Sequence, residues 1–135
     1  MILFIDTALR DASLIILKDG EDEYIRKLTS VNVHQPDALR EIDRVFKKAQ
    51  SNPKRLTGIA VVVGPGQFSS LRTGIAIANA FGYALRIPVV GIAKEDAGTR
   101  SEFIAAGRSK LRRKKTFFPI MPEYGKEPNI TSPKK

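Results

Sequence analysis

The sequence predicts an α/β fold with one mixed sheet, built in the order β-β-β-α-β-α-β. Three observations carry that prediction. The chain opens with an apolar run, Met1–Ile5, followed by two short strand-like segments separated by a turn. A continuous apolar and β-branched run, Leu56–Val63, marks a strand buried on both faces. Two segments of helical periodicity alternate with strands in the second half of the first hundred residues.

Met1–Ile5 is long enough for a central strand, and Asp6-Thr7 break it with short polar side chains. Ser13–Lys18 reads as a second strand, closed by Asp19-Gly20, a strong turn signal. Glu23–Thr29 alternates less cleanly and suits an edge strand, which completes an antiparallel meander. Pro36 and Asp37 fit the first turn of a helix, where a missing N–H costs nothing and a carboxylate meets the positive dipole end. Leu39, Ile42, Val45, Phe46 and Ala49 recur at helical spacing, with Arg40, Glu41, Arg44, Lys47 and Lys48 expected to face away. Ser51-Asn52-Pro53 ends that helix. After Leu56–Val63, Gly64-Pro65-Gly66 makes the turn into a second helix from about Ser70 to Leu85. This helix is apolar or small nearly all round, so more than one side is expected to be covered. Ile87–Ile92 is a last strand, and Ser101–Arg113 fits a short basic helix. Lys114–Lys135, with four prolines, reads as an extended tail. The expected organisation is a lobe over 1–99, a basic helical segment over 100–115 and a Pro-rich tail over 116–135.

Composition bounds the chemistry. The chain has 135 residues, 42% of them apolar, which is one domain's worth of core. It lacks any uncharged apolar run long enough to span a bilayer, and its start has no basic region ahead of the apolar stretch. With no cysteine, disulfides and thiolate metal sites are excluded. A cytoplasmic location is expected. The net charge of +9 is uneven. Residues 1–99 hold thirteen basic and eleven acidic side chains, whereas residues 100–135 hold ten and three. The positive field therefore belongs to the C-terminal stretch and favours phosphate-rich or acidic partners.

The residues that invite a functional reading are few. Asp6, at a strand end, suits orienting a phosphate or a metal-bound water, or else accepts backbone N–H bonds. Gly64 and Gly66, ahead of a helix N-terminus, suit a phosphate cradle or a tight turn that only glycine permits; the loop lacks the Lys and spacing of a Walker motif. Arg72 suits a phosphate, or pairing with a local carboxylate such as Asp6. His34 is the only histidine, so a paired-histidine metal site is impossible and a helix-entry or interface role is expected. In the small-residue helix, the face opposite the sheet should leave Ile77, Ala80, Phe81 and Ala84 partly exposed, an apolar surface of the kind that marks a partner site, or else one that the first helix and the tail cover. Arg112, Arg113, Lys114 and Lys115, next to Phe117-Phe118, suit RNA phosphates and an unpaired base, or a solvated helix end.

The strand order resembles the ribonuclease-H-like half of the actin, Hsp70 and sugar-kinase architecture. Ile5-Asp6-Thr7-Ala8, His34 and, above all, Gly64-Pro65-Gly66-Gln67-Phe68-Ser69-Ser70-Leu71-Arg72-Thr73-Gly74 with Ile87-Pro88-Val89-Val90-Gly91 resemble the TsaB family. The family pattern is close to G-P-G-S-F-T-G-[LV]-R-[IT]-G, and this sequence departs from it at Gln67, Ser69 and Ser70. The likeness covers roughly residues 1–94. Beyond it, Phe118–Gly125 is faintly similar to the family's closing segment. The resemblance implies a protein shortened to about the family's first lobe. It also implies an accessory subunit of the complex that transfers threonylcarbamoyl to N6 of adenosine 37 in ANN-decoding tRNAs. The partners so implied are a TsaD-like catalytic subunit, a TsaE-like ATPase and, indirectly or through the basic tail, tRNA, with self-association when alone. The implied interface is a four-helix contact, placed here on Leu39, Ile42, Phe46, Ile77, Ala80, Phe81 and Ala84. No catalytic residue, metal or cofactor of its own is expected, with ATP or ADP at the partner interface. The alternatives are a minimal nucleotide-binding phosphotransferase using Asp6 and the Gly64 loop, and a tRNA-binding protein acting through residues 100–135.

Overall fold

The computed structural model describes residues 1–8, 12–29 and 37–123. His34 and Pro36, and residues 124–135 of the expected tail, lie outside the described residues. Five strands make one sheet: β1 (Ile2–Asp6), β2 (Ala12–Asp19), β3 (Asp22–Thr29), β4 (Gly58–Gly64) and β5 (Val89–Ala93), in the order β3-β2-β1-β4-β5. The meander pairs antiparallel, and β1–β4 and β4–β5 pair parallel. Parallel neighbours need a crossover, and the two helices α1 (Ala38–Lys48) and α2 (Phe68–Leu85) supply the two required. Gly20, at φ 63°, makes the β2–β3 turn where a Cβ would be strained. The expected mixed sheet and the element order β-β-β-α-β-α-β are therefore those of the structure.

Side-chain alternation assigns the helices to faces. Phe4 and Ala60, paired across β1 and β4, meet Phe103 and Gly107 of α3 (Arg100–Arg112). Ile59 and Val89, one residue out of phase, point the other way, and Val89 lies under Gly82 of α2. Thus α1 and α2 cover one face and α3 covers the other. β4 is buried along its whole length, which is why its sequence is continuous rather than alternating.

Each helix has a legible start. Asp37 caps α1 by accepting from the Arg40 N–H at 3.2 Å. The Gln67 side chain caps α2 by accepting from the Ser70 N–H at 2.9 Å, so α2 begins at Phe68, two residues ahead of the sequence expectation. Thr99 and Glu102 form a reciprocal capping box on α3, at 3.1 and 3.0 Å.

Two expectations for α1 are corrected. Glu41 does not face away; it is 1% exposed and receives Arg26 of β3 at 2.6 Å and Arg44 at 3.2 Å. A buried carboxylate persists because two guanidinium groups satisfy it. Ile42 and Phe46, expected at a partner surface, are 2% and 4% exposed and belong to the core. The inward stripe is Ala38, Glu41, Ile42, Val45 and Phe46, and only Leu39 of the three expected interface residues on α1 is exposed.

The basic helix α3 is a layer of the lobe. Phe103 meets Phe4 edge-on at 5.3 Å between centroids, and Gly107 and Gly58 let α3 lie close over β4. Its outer cations tie it to the β2–β3 hairpin: Arg100 reaches Glu23 at 2.8 Å and Arg108 donates to the Gly20 carbonyl at 3.1 Å. After α3 the chain turns back and residues 114–123 run as an irregular strap along α2 and the end of the sheet. Phe117 and Ile120 pack against the core, whereas Phe118 and Met121 are exposed.

Candidate functional site

The carboxyl ends of the parallel strands bring together Asp6, Thr7, the Gly64–Gly66 loop and the start of α2. This is the position where α/β sheets hold ligands. Asp6 is 8% exposed. Its Oδ1 accepts the Ala8 N–H at 3.0 Å, and its Oδ2 accepts Lys94 Nζ at 2.8 Å. The expected pairing of Arg72 with Asp6 is thus replaced by Lys94, which follows β5 directly. Arg72 instead places its guanidinium over the Phe68 ring, 5.2 Å from the centroid. Arg72 is exposed on the solvent side of α2.

Gly64 has φ 126° and closes β4, and a Cβ there would collide with the Glu123 carbonyl. Gly66 faces the Ala8 backbone, 2.6 Å from where its Cβ would be to the carbonyl oxygen, and the Gln67 N–H donates to that same oxygen at 2.7 Å. Thr7 donates to the Ser70 carbonyl at 2.7 Å and packs against Gly74. The glycines therefore permit close backbone approach between the first strand end, the loop and α2. The strap closes the same corner: the Glu123 N–H donates to the Val63 carbonyl at 2.7 Å. Asp6 and the loop are brought together, but on an ion pair and on the chain's own backbone. Among the described residues no group of three His, Cys, Asp or Glu side chains is placed to hold a metal.

The second candidate surface is the outer side of α2. Leu71, Gly74, Ile75, Ala78 and Gly82 face the sheet. Thr73, Ala76, Ala80 and Ala84 are exposed, and Ile77 and Phe81 are half-buried beside them. Of the expected interface residues, Ile77, Ala80, Phe81 and Ala84 thus share one accessible flank, with Leu39 of α1 54% exposed. The strap covers the opposite flank, through Asn79, Gly82 and Tyr83.

The basic cluster divides. Arg112, Arg113 and Lys115 are exposed, and Lys114 lies over the Phe118 ring at 5.9 Å. Lys94, Asn79, Tyr83, Arg86 and the Arg26–Glu41 pair are absent from the sequence-derived set of residues. Lys94 alone was reachable in principle, since β5 lies next to β4 and so brings the residue after it near the end of β1.

Comparison with known proteins agrees with this geometry. The family model of TsaD, tRNA N6-adenosine threonylcarbamoyltransferase, matches residues 29–110, more than half of the chain. TsaB from Haemophilus influenzae, a tRNA threonylcarbamoyladenosine biosynthesis protein, is 26% identical over 102 residues, covering 76% of this chain and 43% of that protein. The tRNA N6-adenosine threonylcarbamoyltransferase of Persephonella marina is 31% identical over 120 residues, covering 76% of this chain and 35% of that protein. The solved structure of YeaZ from Pseudomonas aeruginosa has the same fold, with a TM-score of 0.63 at 22% identity, covering 68% of this chain and 43% of that one. The chain spans less than half the length of these relatives. With the mixed sheet, the Gly-Pro-Gly turn and the small-residue helix in place, the chain belongs to the TsaD family and is a TsaB-like member of it.

Proposed function

We propose that this chain is an accessory subunit in tRNA threonylcarbamoyladenosine biosynthesis, and that it docks a TsaD-like catalytic subunit on the outer flank of α2. The carrying observation is that flank: Ala76, Ala80 and Ala84 are exposed beside half-buried Ile77 and Phe81, on a helix whose inner face lies on the sheet and whose Asn79 side meets the strap. Small side chains allow a second helix to approach closely, and the apolar area gains from being covered. The relatives' names supply the pathway, through both TsaB proteins and threonylcarbamoyltransferases. The engagement of Asp6 by Lys94, and of Gly64 by the strap, supports a role in which catalysis falls to the partner. A TsaE-like ATPase, ATP or ADP at the joint surface, and tRNA complete the assembly in this reading, and the free chain self-associates through the same flank.

Co-expression with the TsaD-like subunit of the same genome, followed by size exclusion, tests the assignment. A co-eluting complex that Ala80→Glu abolishes is the expected result. Separate elution of the two wild-type chains would sink it.

A further inference from the structure

At the carboxyl end of α2 lies an open groove unrelated to Asp6 or the Gly64 loop, which sit at the other end of this 18-residue helix, about 27 Å away. Its volume is about 470 Å³, within the ~300–1,000 Å³ range of small-ligand sites. Tyr83, Ala84 and Arg86 form one wall, and Lys115, Thr116 and Phe117 form the other. Among the described residues no acidic side chain lines it.

We infer that this groove binds one nucleotide unit of a single-stranded RNA, with Arg86 and Lys115 on phosphate and Tyr83 beneath the base. Tyr83 is 75% exposed, far beyond what packing on the fold requires of an aromatic ring. Its ring makes a T-shaped pair with Phe117, at 6.2 Å and 67°, which favours one orientation. An aromatic ring anchored by one ring contact and three-quarters exposed is a stacking platform that accepts any base. Arg86 is the C-cap of α2 and adopts the left-handed conformation, φ 60° and ψ 48°, which favours glycine. That conformation sends the chain out of the helix at the groove's lip. Among the described residues neither Arg86 nor Lys115 is in an ion pair or side-chain hydrogen bond, so both cations are available to an anion.

The favoured ligand is a polymer rather than a free nucleotide. Exposed Arg112 and Arg113 stand three and two residues before Lys115 in the chain and add positive charge outside the groove's own lining, charge that a neighbouring phosphate would use. A duplex is excluded by the stacking geometry, since its bases are not free to lie on a ring. This inference rests on the groove, which shares Ala84 with the α2 flank, and it concerns the chain free of a docked subunit.

The test uses the full chain alone, with a fluorescein-labelled oligouridylate followed by anisotropy. Tyr83→Ala, and separately Arg86→Gly with Lys115→Ser, should each weaken binding about tenfold, while Tyr83→Phe should not. The double charge variant should also flatten the log affinity against log salt slope by about 1.4, or about 0.7 per phosphate contact. All three positions are exposed, and thermal melts check that the variants fold. Unchanged affinity of Tyr83→Ala would overturn the proposal, reducing any binding to charge alone. Displacement by 5′-AMP at an equal concentration of nucleotide would reassign the groove to free nucleotides. Equal displacement by polyglutamate would assign it to acidic peptides. Either displacement result, or no RNA binding at all, refutes the RNA site.

Discussion

The carboxamide of Asn79 makes both of its hydrogen bonds to the backbone of Ile120: it donates to the carbonyl at 2.9 Å and accepts the N–H at 2.9 Å, across 41 residues of sequence. This is the clasp that holds residues 117–123 against α2. Asn79→Asp keeps the acceptor but sets a carboxylate against a carbonyl. The expected cost is about 1–2 kcal/mol, and so a melting temperature lower by about 5 °C. Faster amide exchange at Ile120 and Glu123, with β4 still protected, is the signature to measure. Uniform loss of protection would mean that the strap is no separate unit.

Lys94 and Asp6 should be coupled. Asp6→Asn retains an oxygen for the Ala8 N–H and removes only the charge facing Lys94. Lys94→Met leaves a nearly buried acid without its partner, the more damaging change of the two. Lys94 is a third exposed, which limits the pair's own contribution. A double-mutant cycle in denaturant should return a coupling of about 1 kcal/mol. Additivity within error would assign Asp6 to backbone capping alone.

Much of the fold was legible from local pattern. Leu56–Val63 announced a strand buried on both faces, and Asp19-Gly20 announced the hairpin, because each signal depends on the residues themselves. What escaped depends on partners distant in sequence. Glu41 looks like a surface residue until Arg26, on the neighbouring strand, is brought beside it. Ile42 and Phe46 looked available only because helical spacing gives a stripe without saying which edge of it faces the sheet. The basic helix over residues 101–113 was expected from its pattern, but its inner side was not: Phe103, Gly107 and Leu111 make it part of the core. The candidate crevice was legible in its members, Asp6 and the Gly64 loop, but Lys94 and the returning strap were not.

Charge on the two helices should separate docking from folding. Ala80→Glu adds a carboxylate to an exposed position and should leave the monomer's melting temperature within a few degrees of wild type, while abolishing association with a TsaD-like subunit. Ile42→Glu would bury an unpaired charge and should unfold the chain or cost it more than about 4 kcal/mol. A folded Ile42→Glu monomer that merely fails to bind would move the interface onto α1.

Arg86 offers a direct comparison of stability with binding. Its left-handed conformation costs about 1–2 kcal/mol relative to an ordinary one, which glycine would not incur. Glycine instead loses about 0.5–1 kcal/mol to the greater freedom of the unfolded chain. It also forfeits the cation at the negative end of the α2 dipole, about 0.3–1 kcal/mol. These terms offset one another, so Arg86→Gly should change stability by less than about 1 kcal/mol. Arg86→Val adds a β-branched side chain to the same backbone and should destabilise by about 2 kcal/mol, a check that the conformation is as described. If the groove holds RNA, Arg86→Gly weakens binding while the melt stays put, because the guanidinium then serves the ligand and not the fold. A large stability loss in Arg86→Gly would instead make the arginine a structural cap, and its position at the groove incidental.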